Sequence, residues 1–175
     1  MANSKVKRPK NGQPLVLEDV RIIFRNFSGA EGQYNAKGDR NFGVVLDPDL
    51  AENMTNDGWA VKQLKPREEE DAPQDWIKVK IGFNNKPPRI VMVTDRGRTT
   101  LTESELSILD WADIAKVDLI INPYDWDIAD KAGRTAYLGS IFVTINEDEL
   151  ERKYADIPDT AQSSISSRAT VEFED

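Results

Sequence analysis

Trp76-Ile77-Lys78-Val79-Lys80-Ile81-Gly82-Phe83 is the clearest strand in the sequence, with Trp76, Lys78 and Lys80 alternating with Ile77, Val79 and Ile81. Successive strand residues point to opposite faces, so one face is buried and the other presents two lysines beside a tryptophan. Upstream, 59–64 (WAVKQL) reads as a neighbouring strand, separated from it by the charged loop 66–75. Downstream, Pro87-Pro88 precedes the strand 89–94 (RIVMVT), and Asp95-Arg96-Gly97-Arg98 forms a turn. Farther out, 15–24 and 34–46 read as the first two strands, and 117–126 and 137–145 as the last two.

Helices enter only as connectors. Asp47 at the N-cap and Pro48 at the first helical position predict a short helix to about Asn56. Thr102, three residues before Glu105, predicts a capping box and a second helix, with Leu106, Leu109 and Trp111 along its buried side. About seven short strands between Gly and Pro turns outline a mainly β small barrel or sandwich. The expected organisation is a flexible basic arm over 1–13, one domain over 14–146 and an acidic, largely disordered tail over 147–175. The tail's charged and small polar residues cannot bury enough apolar area to offset their ordering entropy.

Composition narrows the chemistry. The 175 residues include no cysteine and no histidine. Disulfides, thiolate metal sites, cysteine nucleophiles and the usual general base near neutral pH are therefore absent. No apolar run approaches the ~20 residues needed to cross a bilayer, and the N-terminus lacks the apolar stretch of a secretory signal. A cytoplasmic protein with no membrane partner is expected. The acids Asp110, Asp113, Asp118, Asp125, Asp127 and Asp130 raise the alternative of a two-metal nuclease, but their spacing matches no such mechanism. No phosphate-binding glycine loop occurs. The expectation is a protein that is not an enzyme, with no cofactor and no metal.

The net charge of −8 is unevenly distributed. Residues 1–10 hold Lys5, Lys7, Arg8 and Lys10 with no acid, whereas 146–175 hold nine acids against Arg152, Lys153 and Arg168. Between them, 78–98 hold Lys78, Lys80, Lys86, Arg89, Arg96 and Arg98 against Asp95 alone. Local field, not total charge, governs whether a polyanion docks.

Rings and cations interleave at Arg25, Phe27, Tyr34, Lys37, Arg40 and Phe42, and again at Trp59, Lys62, Lys65 and Arg67. Unpaired bases stack on such rings while the cations meet phosphates. Lys78, Lys80, Arg96 and Arg98 add a second basic group. In the alternative, Phe42 and Trp59 are core, and the lysine strand is a solvated face. The tip Glu172-Phe173-Glu174-Asp175 sets one ring among acids, a form that a basic-rimmed apolar pocket could read, or a mimic of phosphate that competes for the groove.

Several strings resemble a known family: Arg25-Asn26-Phe27-Ser28-Gly29, Arg40-Asn41-Phe42, Asp57-Gly58-Trp59, Lys62-Gln63-Leu64-Lys65-Pro66-Arg67-Glu68, Arg96-Gly97-Arg98-Thr99, Leu109-Asp110-Trp111, and Asp118-Leu119-Ile120-Ile121-Asn122-Pro123-Tyr124. Over about 18–145 they are similar to the phage-encoded single-stranded DNA-binding proteins. The resemblance implies an OB-fold-like small barrel of short antiparallel strands with two short connecting helices, and no catalysis. It implies single-stranded DNA as partner, a role in phage replication or recombination in the host cytoplasm, and a tail that recruits replication or recombination proteins. A homo-oligomer is compatible with it. The competing reading is a β-rich phage virion or assembly protein whose rings are core.

Overall fold

The computed structural model describes residues 13–66, 68, 72–84 and 86–146. The basic arm up to residue 12, Arg67 and the acidic tail lie outside the described residues.

The 76–83 pattern forms β5 (Gln74–Ile81), whose Ile77, Val79 and Ile81 are buried. Along one edge it pairs antiparallel with β3 (Arg40–Leu46), setting Val45 opposite Trp76, Gly43 opposite Lys78 and Asn41 opposite Lys80. Its other edge is shared. The first half pairs with β4 (Val61–Leu64), and Val79 and Lys80 lie parallel to Ala136 and Tyr137 of β9 (Lys131–Ile145). β9 forms a long antiparallel hairpin with β8 (Ile114–Ile128), and its far half lies parallel to β6 (Arg89–Thr94), which turns back into β7 (Gly97–Thr100).

The first expected strand is two. β1 (Leu15–Leu17) pairs with β8, and β2 (Ile22–Asn26) pairs with β3. The bend between them runs through Asp19 at φ 51°, whose N–H donates to Asp118 Oδ1 at 2.7 Å. Since β1 and β2 end the strand path β1-β8-β9-β5-β3-β2, this bend carries the chain from one end of the curled sheet to the other. Val20 N–H donates to Val117 O, and Val45 N–H to Arg21 O, on either side of the seam. No ladder joins β1 to β2; the bend itself is the seam of a mainly β, OB-like barrel.

Other differences are of extent. The strand ladders are antiparallel except where β5 and β6 meet β9, and β8 and β9 run 15 residues each, longer than expected. Positive φ at Ala129 and Asp130 makes the two-residue turn that joins them. α1 (Pro48–Asn56) follows Asp47, whose side chain makes no capping bond. The second expected helix is a 3₁₀ turn, Glu103–Glu105, followed by α2 (Ile108–Trp111). Its start is as expected: the Glu105 carboxylate accepts from Thr102 N–H at 2.9 Å and from its hydroxyl at 2.7 Å, which holds its pKa below the ordinary glutamate value.

The side chains facing into the barrel include Leu17, Phe42, Val44, Ile77, Val79, Leu119, Ile121, Ala136, Leu138 and Ile141, packed as one apolar cluster. Beside it, Arg134 is 3% exposed and binds Asp125 through Nε and Nη2 at 2.7 and 3.1 Å, and Asp57 through Nη1 at 2.9 Å. The Asp125 hydrogen bonds raise its pKa against the opposing effect of burial. This ties the β8–β9 hairpin to the turn after α1. Arg134→Ala strands the mostly buried Asp125 carboxylate, and should lower unfolding free energy by about 3 kcal/mol. Asp57→Ala, at a residue 64% exposed, should cost under ~1 kcal/mol. Urea denaturation of both variants measures the difference, and equal losses would contradict this reading.

Candidate nucleic-acid interface

The outward face of β5 forms the floor of an open groove. Gly43 has no side chain, and a Cβ there would meet the Trp76 ring at 2.7 Å and Ile23 Cγ1 at 2.9 Å. The indole therefore lies across the backbone of β3, half-buried, and lines the groove. Phe24 stands edge-on to it, with centroids 5.1 Å apart and planes at 67°. Lys62, opposite Trp76 in register, brings Nζ to 5.3 Å from the ring centroid.

Phe24 reaches this place through a break in the β2–β3 register between Ile23 and Asn26, where it adopts φ 50°. A bulky side chain in the left-handed region costs roughly 1–2 kcal/mol. That cost turns an aromatic ring outward, 57% exposed, where strict alternation would not place it.

Two further rings rim the groove: Tyr34, 89% exposed, and Trp111, 88% exposed. The volume between them and Trp76 is about 860 Å³, with Lys62 and Lys78 in its wall. Trp111 is held there indirectly. Arg25 Nη1 donates to Leu109 O at 2.9 Å and Ala112 O at 2.7 Å, satisfying carbonyls at the end of α2. Asp110 accepts from Phe27 N–H at 2.6 Å and from Ser28 N–H at 3.2 Å. Asp110 and Glu31 also line the groove, so its charge is mixed at the Trp111 end and cationic at the Lys62–Lys78 end.

Lys78 is half-buried, and burial lowers its pKa below the ordinary lysine value; the charges of Lys62 and Lys80 act in the same direction and Asp39 opposes them. An anion entering the groove would relieve that repulsion.

The expected site residues divide accordingly. Tyr34, Lys62 and Lys78 are brought together, and Lys80 continues the row along β5. Arg40 stands next to it, paired with Glu103 at 2.9 Å and 5.6 Å from the Phe83 ring centroid. Phe27, Phe42 and Trp59 are corrected to core. Phe27 and Phe42 are 0% and 1% exposed and stack on each other at 5.0 Å, so neither offers a face to a base. Trp59, 5% exposed, donates Nε1–H to Asp57 and lies 5.5 Å from the Arg134 guanidinium. Arg25 is the clamp on α2. Lys37 is exposed on the loop after Tyr34. Lys65 lines a different depression with Arg21 and Pro66. Arg96 and Arg98 are exposed on the β6–β7 hairpin and do not line the groove. Arg67, Glu172, Phe173, Glu174 and Asp175 lie outside the described residues.

Phe24, Trp76 and Trp111 were not among the expected contacts. Alternation already put Trp76 on the lysine face. Trp111 contradicts the expectation that it packs inward, since Leu106 and Leu109 share one side of the turn and a residue two positions on points away. For Phe24 the sequence carries no signal, because the register break depends on the partner strand.

An OB-like barrel that shows rings and lysines in one open groove defines a protein for single-stranded nucleic acid. The chain matches the family described as "Putative phage ssDNA-binding domain" over residues 3–175, and it belongs to that family. Among solved structures it is similar to the single-stranded DNA-binding protein from bacteriophage Enc34. That protein matches at TM-score 0.52 and 12% identity over 90% of this chain and 96% of its own. Its complex with ssDNA matches at TM-score 0.54 and 12% identity over 82% and 95%. This likeness is one of fold. No curated protein matches the chain in sequence.

The lowered Lys78 pKa carries a sign for stability. Between that native value and the unfolded 10.5 the unfolded chain binds more protons, so stability rises with pH across this window. Lys78→Gln should flatten this rise, raise the melting temperature of the free protein at neutral pH and weaken oligonucleotide binding. Calorimetry with a binding titration checks all three effects, and a variant that lost stability would show Lys78 to be a structural residue.

Proposed function

We propose that this chain binds and covers single-stranded DNA without sequence preference during phage replication or recombination, and acts by binding and not by catalysis. The observation that carries this reading is the Trp76 indole, seated on Gly43, flanked by Phe24 and Lys62, and open to the groove. Every base has a π-face, so stacking on Trp76, Trp111 and Tyr34 tolerates any sequence, each base adding ~1–3 kcal/mol. Lys62, Lys78 and Lys80 meet the phosphates, whose released counterions drive association. A duplex hides its base faces, so single strands are preferred. Lys37, Lys65, Arg96 and Arg98 serve at most as peripheral phosphate contacts.

In this reading the chain acts in the host cytoplasm. The tail over 147–175 competes with DNA for the lysines or recruits replication proteins through Glu172, Phe173, Glu174 and Asp175. Support comes from its charge and from the family, and removal of 160–175 should leave binding unchanged or tighter.

Titration of a fluorescent dT oligomer at two salt concentrations tests the main claim. Binding should quench tryptophan fluorescence, exceed duplex affinity, and follow a log–log salt slope of about −0.7 per phosphate contacted. Trp76→Ala should lose ~1–3 kcal/mol of binding and keep the fold, whereas Trp59→Ala should unfold the chain. Equal affinity for duplex and single strand would overturn the proposal.

A further inference from the structure

The groove continues beyond Lys78. A second depression of about 430 Å³ lies farther along β5, and Asn41 and Lys78 line both, so the two form one path. At its far side stands Tyr137, paired in register with Lys80 across the β5–β9 contact. Its ring lies beside Gly82, just past the end of β5, where a Cβ would make ordinary van der Waals contact with it at 3.7 Å, a looser fit than that of Trp76 on Gly43. Tyr124, 58% exposed, braces Tyr137 edge-on at 5.8 Å and 71°. Arg40 lines the same depression, and its Nε has no hydrogen-bond partner although it is out of contact with solvent.

We propose that Tyr137, braced by Tyr124, is a second base-stacking station for the same DNA strand, with the intervening phosphates held by Lys78 and Lys80. The proposal rests on the reading of the groove as a single-strand site and gives that site a direction and a length. Four residues of β5 and one step across the sheet separate Trp76 from Tyr137, roughly 14 Å. A strand at helical spacing, ~3.4 Å per nucleotide, needs about four steps to cover that distance. Oligomers too short to reach both rings therefore engage one station only.

The test is a length series of fluorescent oligomers, dT3 and dT8, against the full chain. The wild type should gain steeply in affinity between the two lengths. Tyr137→Ala should keep its dT3 affinity and lose roughly 5- to 150-fold toward dT8, the range that one stacked base contributes. Tyr137→Phe keeps the ring and should keep the gain. Tyr137→Leu, which preserves bulk in the sheet but has no aromatic face, should lose the length gain as well, and takes the place of the alanine variant if alanine disturbs folding. In the unaltered protein, dT8 bearing 5-iodouracil should photo-crosslink to a peptide containing Tyr137. An undiminished length gain in the folded leucine variant, or crosslinks confined to peptides with Phe24, Trp76 and Trp111, would overturn the second station. Failure of the wild type to bind either oligomer would overturn the parent reading instead.

Discussion

One register governs this molecule. β5 is paired along both edges, and the pairing fixes Ile77, Val79 and Ile81 inward and Trp76, Lys78 and Lys80 outward at the same time. A slip of one residue would expose the apolar set and bury two ammonium groups, so the core enforces the groove. The side chains that fill the barrel and those that face the groove are alternate residues of one strand, and neither set can move without the other.

The groove also depends on what is missing from it. Gly43 removes the side chain that would lift Trp76 off the sheet, and the register break at Phe24 supplies a ring where regular pairing would have hidden one. Both are local weaknesses by the standards of strand stability, since glycine packs nothing and a left-handed phenylalanine is strained. They are tolerated because the surrounding ladders overdetermine the backbone.

The cations separate into two groups with different physical roles. Arg25 and Arg134 are committed to the protein, one to the carbonyls ending α2 and the other to Asp125 and Asp57. Guanidinium groups suit this, since their planar donors satisfy several fixed acceptors at once. Lys62, Lys78 and Lys80 instead repel one another across the open face, a small cost in the free state. In the proposed function such point charges take phosphates at varied positions, as a sequence-tolerant site requires.

Much of this was legible in the residues. Alternation along 76–83 gave the strand, its two faces and the lysine row, and the turn and cap signals placed α1 and the Thr102–Glu105 box, because these depend on neighbours within a few positions. The rings were not legible in the same way. Phe27, Phe42 and Trp59 have the same composition and flanking charges as stacking residues, yet they close the core, while Trp111 points out. Whether a ring is enclosed depends on what packs over it from strands and turns distant in sequence: Asp110 drawing residues 27 and 28 toward α2, Arg134 reaching Asp57 beside Trp59, the bend at Asp19 joining the two ends of the sheet. Sequence alone set the chemistry available and the period on which it is displayed. Tertiary structure alone chose which rings face the groove, because burial is a property of long-range contacts and not of any local pattern.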